Sequence, residues 1–146
     1  MRALLPLLGA LFLLGLFATL LPEGWPGPDL FLAYALWYAG ARPYFLGLPV
    51  AFALGLLQDL LGFGLLGLHG VGLLMATYAH YAASRRVVAG EALGMGLAFL
   101  YAFLAKWAGY FLVAYWLRLE PPPLALGSLL LEGALTLPFY LLLRRL

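Results

Sequence analysis

Two carboxylates, two imidazoles and an amine sit in stretches that are otherwise apolar: Asp59 and His69 in "GLLQDLLGFGLLGLHG" (residues 55–70), then His80, Lys106 and Glu132. Such groups do one of three things: they move protons, ligate a metal, or pair with a charge on the same chain, a ligand or a partner. Carboxylate-pair catalysis has no support here, because Asp59, Glu91 and Glu132 are far apart in the chain and not at helical spacing. Metal ligation fares no better. His69 and His80 lie within about 20° on a helix, but their eleven-residue separation puts them about 16 Å apart along the axis, and the chain has no cysteine. There is no G-x-S-x-G elbow, no H-E-x-x-H and no phosphate-cradling glycine motif. Ser84, Ser128, Thr19, Thr77 and Thr136 are the only hydroxyl residues besides tyrosine, too few and too scattered to assemble a nucleophile with its base. The expectation is a protein that is not an enzyme, with no catalytic residues, cofactor or metal.

That leaves charge pairing and recognition. Ser128, Glu132 and Thr136 recur at i, i+4 and i+8, opposite Leu130, Leu137 and Leu141. Ala98, Ala102, Ala105 and Gly109 form a small-residue face with Lys106 at its edge, opposite Leu100, Leu104, Trp107 and Phe111. Small residues let backbones approach, so this face is expected to pack inward and carry Lys106 with it. Lys106 and Glu132 then fall at depths of about 18 Å and about 13 to 14 Å from one end of their helices. Two readings stand side by side: a structural ion pair, direct or through Ser128, a water or another polar residue, and a site for a ligand or partner. Asp59 is the next candidate counter-charge for Lys106. His69, near a helix end, reads first as an interfacial hydrogen-bonding group; His80 shares its face with Ala76 and Ala83. Gly62 and Gly64 are expected to end one helix and turn the chain, and Gly67, Gly70 and Gly72 to allow close packing where the next begins.

The elements that must hold these groups are membrane helices. Of 146 residues, 66% are hydrophobic and 10% charged, and the mean hydropathy is +1.02, whereas a soluble domain carries roughly 25% charged residues. Apolar runs at 3–22, 30–41, 44–61, 65–83, 92–117 and 124–143 predict one all-α domain, 1–146, with six spans. The first run is too long for a signal-peptide core and "ATLLPEGW" lacks an A-x-A site, so it reads as uncleaved. The second, twelve residues long, is short against the ~20 needed to cross. Orientation decides for crossing. With six spans Arg2, Arg42, Arg85, Arg86, Arg144 and Arg145 share one side, with only Arg118 opposite, which places both termini in the cytoplasm. Glu23, Asp29 and Glu120 are then expected outside. The basic residues form no patch for a phosphate backbone, so no nucleic acid partner is expected.

The stretch at 55–70, with an aspartate ending one span and Gly-Leu-His-Gly opening the next, resembles the rod-shape-determining membrane protein family MreD. Length, six spans, a short second span and the dibasic "SRR" connection agree with that family, though outside residues 55–72 the match is one of hydropathy more than motif. The resemblance implies a non-catalytic scaffold of the cell-elongation (peptidoglycan-synthesis) machinery in the bacterial cytoplasmic membrane. Its implied partners are an MreC-like single-span protein and, nearby, a RodA-type glycan polymerase and a penicillin-binding transpeptidase. It also implies a compact bundle similar to the S components of energy-coupling-factor transporters, which supplies the alternative: a substrate-binding subunit for a vitamin-sized molecule. Against that alternative, "ALLPLLGALFLLGLFATL" lacks the A-x-x-x-A docking pattern of those subunits.

Overall fold

In the computed structural model, which describes residues 4–62, 64–86, 92–120 and 126–145, every regular element is helical. Six helices follow in order: α1 (Leu4–Leu20), α2 (Leu30–Gly40), α3 (Tyr44–Leu61), α4 (Leu68–Ser84), α5 (Ala92–Trp116) and α6 (Leu126–Leu143). Of these, α3, α5 and α6 are long and apolar enough to cross a membrane, which marks the chain as a membrane protein. Arg2, Glu91, the prolines of "EPPP" and residues 124–125 of the last expected span lie outside the described residues.

The shortest helix is the central one. At 11 residues, α2 is about 16 Å long against a hydrocarbon core of ~30 Å, and its residues from Leu30 to Leu36 are all buried. A helix apolar on every side is stable only where every side is covered. It packs on α1, α3, α4 and α6, and Phe31, Leu32, Tyr34 and Leu36 form the middle of a core with Leu73, Phe99, Phe103 and Tyr140. The other organising contacts run α3 to α4 and α4 to α5, so α4 lies between its chain neighbours. Helix α6 packs most extensively on α2 and also meets α5, where Gly133 lies against Phe103, Tyr140 stacks on Phe99 and Glu132 reaches Lys106.

Close approach of α3 and α4 depends on Gly55 lying against the start of α4. A Cβ at Gly55 would overlap the backbone of His69 and Gly70. Gly67 does a different job from the packing role expected of it. A Cβ there would meet open space, but its φ of 106° is one that side-chain-bearing residues rarely adopt, and it forms the N-cap of α4. α4 consequently starts at Leu68, three residues later than the apolar run suggests. Gly62 caps the end of α3, its N–H bonding Gln58 O, and Gly64 N bonds Asp59 O, so both lie in the turn as expected.

The face of α5 follows its pattern in part: Ala105 is half-buried beside the outer groove, and Trp107, expected opposite with the leucines, is half-buried and packs on the core. Ala98, Ala102, Lys106 and Gly109 are buried and Leu100 and Leu104 exposed. Gly109 faces Met75 and Gly72 of α4.

Because backbone rather than a flexible side chain opposes Gly55, Gly55→Val is expected to destabilise the protein by about 1 to 3 kcal/mol or more. Gly9→Val, at a position with open space around it, should leave stability nearly unchanged. Thermal unfolding of the two variants in detergent, followed by size-exclusion fluorescence, measures the contrast.

Candidate functional site

The Lys106 amine, from the middle of α5, is the most consequential polar group in the bundle. Its side chain is 1% exposed, and its Nζ contacts Asp29 Oδ2 and lies 3.4 Å from Glu132 Oε1. Asp29 is the N-cap of α2: its Oδ1 accepts from Leu32 N at 3.0 Å, so one carboxylate both caps the central helix and neutralises the lysine. The Asp29 backbone N–H donates to Thr136 Oγ1 at 2.8 Å, and that hydroxyl donates to Glu132 O at 2.6 Å. Three helices and one cap are thus tied through a continuous polar network.

This corrects two expectations. Asp29 is not an outside loop acid but a buried residue, and it is the closest counter-charge of Lys106, with the expected partner Glu132 second and Asp59 engaged elsewhere. Ser128, in the first turn of α6, is exposed and stands apart from the network. Glu132 and Thr136 do turn inward, with Leu130 exposed opposite.

Asp59 organises a second cluster, at the turn joining α3 to α4. Its Oδ2 accepts from Gly67 N at 2.8 Å and, at 3.5 Å, from Gly70 N. Its Oδ1 accepts from His69 N at 3.1 Å and lies 2.7 Å from His69 Nδ1. The free N–H groups at the start of α4 thus converge on a carboxylate supplied by the preceding helix, where the helix dipole favours negative charge. The aspartate and histidine of the 55–70 stretch are joined to each other by this arrangement.

His80 is 1% exposed and hydrogen-bonds Tyr140 Oη through Nε2 at 3.0 Å, linking α4 to α6. It is remote from His69, and among the described residues no group of three histidines, cysteines or carboxylates is placed to hold a metal. Near the other end of α4, Tyr81 Oη donates to Arg42 O at 2.9 Å, and the Arg144 guanidinium lies over Tyr140, beside Gly40. Arg42, Arg144 and the end of α4 that leads into Arg85 and Arg86 therefore share one end of the bundle, with the Asp59 turn at the opposite end.

Two kinds of hollow border this frame. One is an apolar groove of about 630 Å³ between α4 and α5, floored by Ala79, Ala82, Ala105 and Ala108 and rimmed by Tyr78 and Tyr101. It adjoins a second hollow of about 460 Å³ that shares Ala82, Tyr101 and Leu104 and reaches Arg86. The other is a polar cavity of about 420 Å³ reached by both Lys106 and His69.

The chain matches no protein-family model, no curated protein and no solved structure.

Asp29 was missed because "PGPD" reads as a polar outside loop. The available signal was an N-cap residue immediately before an apolar run too short to span, in a chain with one unpaired intramembrane lysine.

Removing Lys106 strands two carboxylates, and Asp29→Asn leaves the amine with Glu132 as its one carboxylate while the amide oxygen still caps α2. Lys106→Met and Asp29→Asn are each expected to cost on the order of 1 to 4 kcal/mol. Their double-mutant cycle should show a larger coupling than the cycle of Lys106→Met with Glu132→Gln, as read by unfolding in detergent. Equal couplings, or additivity in the Asp29 cycle, would contradict the assignment of Asp29 as the main partner.

Proposed function

We propose that the protein is a non-catalytic six-span scaffold of the MreD type in the bacterial cytoplasmic membrane, seating the single membrane helix of an MreC-like partner. The observation carrying this reading is the groove along α4 and α5. Its floor is alanine, its rims are tyrosines 68% and 57% exposed, and its walls are apolar. Small residues lined by larger ones are what a second helix needs for close packing in lipid, where van der Waals contact rather than hydrophobic expulsion drives association. The inward polar groups support the same reading, because they are engaged in joining helices to each other and so make a rigid support. The 55–70 stretch that carries the family resemblance is part of that support, through the Asp59 turn.

The topology belongs to this proposal. All six helices cross, α1 and α2 included, with both termini and the end bearing Arg42, Arg85, Arg86, Arg144 and Arg145 in the cytoplasm. The Asp59 turn then faces outward. A RodA-type polymerase and its transpeptidase are the enzymes beside which such a scaffold works. The second reading, a binding subunit for a vitamin-sized molecule similar to the S components, is favoured by the polar cavity at the end opposite the arginines.

Purification in mild detergent from cells that make the protein should bring down a single-span protein in stoichiometric amount. Ala82→Phe and Ala105→Phe, which fill the groove, should abolish its recovery while leaving the scaffold folded. A bound vitamin-sized molecule with no protein partner would favour the second reading instead. For the topology, cysteines placed at Ser84 and Gly64 should label from opposite faces of intact cells; labelling from the same face would refute six crossings.

A further inference from the structure

The polar cavity of about 420 Å³ is lined by Asp29, Gln58, His69, Lys106, Trp107 and Glu132 together with apolar residues of α1 and α2. It shares no lining residue with the alanine groove. Its volume lies in the ~300 to 1,000 Å³ range of small-molecule sites. What it would bind follows from which of its polar groups are already engaged.

Asp29 has both oxygens in use, one on Leu32 N and one on Lys106. His69 is held by Asp59. Glu132 is the looser partner: it lies 3.4 Å from Lys106 through Oε1, and its side chain is 14% exposed where those of Lys106 and Asp29 are 1% and 3%. Gln58 Oε1 is buried and has no hydrogen-bond partner among the described residues. Trp107 Nε1 is buried without a partner as well, so the buried capacity left is two acceptors, Glu132 and Gln58 Oε1, and one indole donor. Charge favours a cation, since Lys106 is one cation facing two carboxylates, Asp29 and Glu132.

A ligand complementary to this set brings hydrogen-bond donors and one positive charge. We propose that the cavity is a binding site for a small organic monocation, a primary ammonium whose three N–H donors meet Glu132 and Gln58 Oε1. Its short apolar remainder lies against the Trp107 indole, one of whose faces already has Lys106 Nζ 4.5 Å from the ring centroid. An anionic ligand is disfavoured, because Lys106 is already neutralised by Asp29 and the further carboxylate would repel it. The site deepens the small-molecule reading given above as the second function and does not depend on the scaffold reading.

The test uses the full chain purified in detergent at constant ionic strength, with propylammonium chloride as the probe and propan-1-ol and sodium propionate as the neutral and anionic isosteres. Isothermal titration and thermal shift are expected to show saturable binding of propylammonium at millimolar concentration, with no saturable effect of the other two. Glu132→Gln should weaken it by about tenfold or more. Gln58→Leu, at an uncharged position outside the lysine network, should weaken it several-fold and carries the test should Glu132→Gln fail to fold. Gly9→Val, at a position with open space around it and outside the cavity lining, should leave it unchanged. Equal binding of propan-1-ol overturns the assignment of a cation while leaving a small-molecule pocket standing. Binding of none of the three overturns the site, and with it the main support for the binding-subunit reading. Full retention of binding in a folded Gln58→Leu or Glu132→Gln overturns the assigned residues.

Discussion

A single amine buried in an apolar bundle sets most of the architecture. An uncompensated ammonium in a low-dielectric interior costs several kcal/mol, so once Lys106 faces inward from the middle of α5 a carboxylate must be brought to it. The chain does this by carrying the segment before α2 down into the bundle until Asp29 reaches the amine. A helix that starts there begins inside the bundle, at the level of the amine, and α2 is accordingly short, at 11 residues. Its burial on every side follows as well, since a short helix sunk between longer ones has no face left for lipid. The same carboxylate caps α2, so the counter-charge and the start of the central helix are one device.

The remaining inward polar groups repeat this pattern on a smaller scale. Asp59 reaches from α3 to the N–H groups that open α4, His80 joins α4 to Tyr140 of α6, and Tyr81 holds the Arg42 carbonyl where α2 turns into α3. Each joins two elements that a hydrophobic effect could not hold in register, because lipid is as apolar as the side chains. The hollows such joints leave over are the alanine-floored groove outside and the polar cavity at one end.

Much of this was legible in the residues. Composition led to a helical membrane bundle, and helical spacing correctly turned Lys106, Glu132, Thr136, Ala98, Ala102 and Gly109 inward. Where pattern failed, it failed for lack of tertiary context. Ser128 shares its phase on the α6 wheel with Glu132 and Thr136 and is nevertheless exposed, in the first turn of that helix. Asp29 follows a Gly–Pro pair, which marks a loop but not whether the loop lies in water or inside the bundle. Gly55 looked like one more glycine in a glycine-rich stretch. Its role depends on Gly70, fifteen positions away, and only the pairing of α3 with α4 brings the two together.

The two carboxylates on Lys106 are not equivalent, and the difference separates frame from site. Asp29 is held by both oxygens and by its own backbone N–H on Thr136, so withdrawing it from the amine would also fray the first turn of α2. Glu132 reaches the same amine from within α6, where its backbone is independent of that contact, at a longer distance and with more exposure. Its side chain can reorient by rotamer change alone, at a cost far below that of unwinding a capped helix. Of the two, only Glu132 can engage an incoming group while the central helix keeps its start. An amine that needs one carboxylate for the fold and has a second within reach thereby gives the bundle both a fixed centre and an adjustable wall.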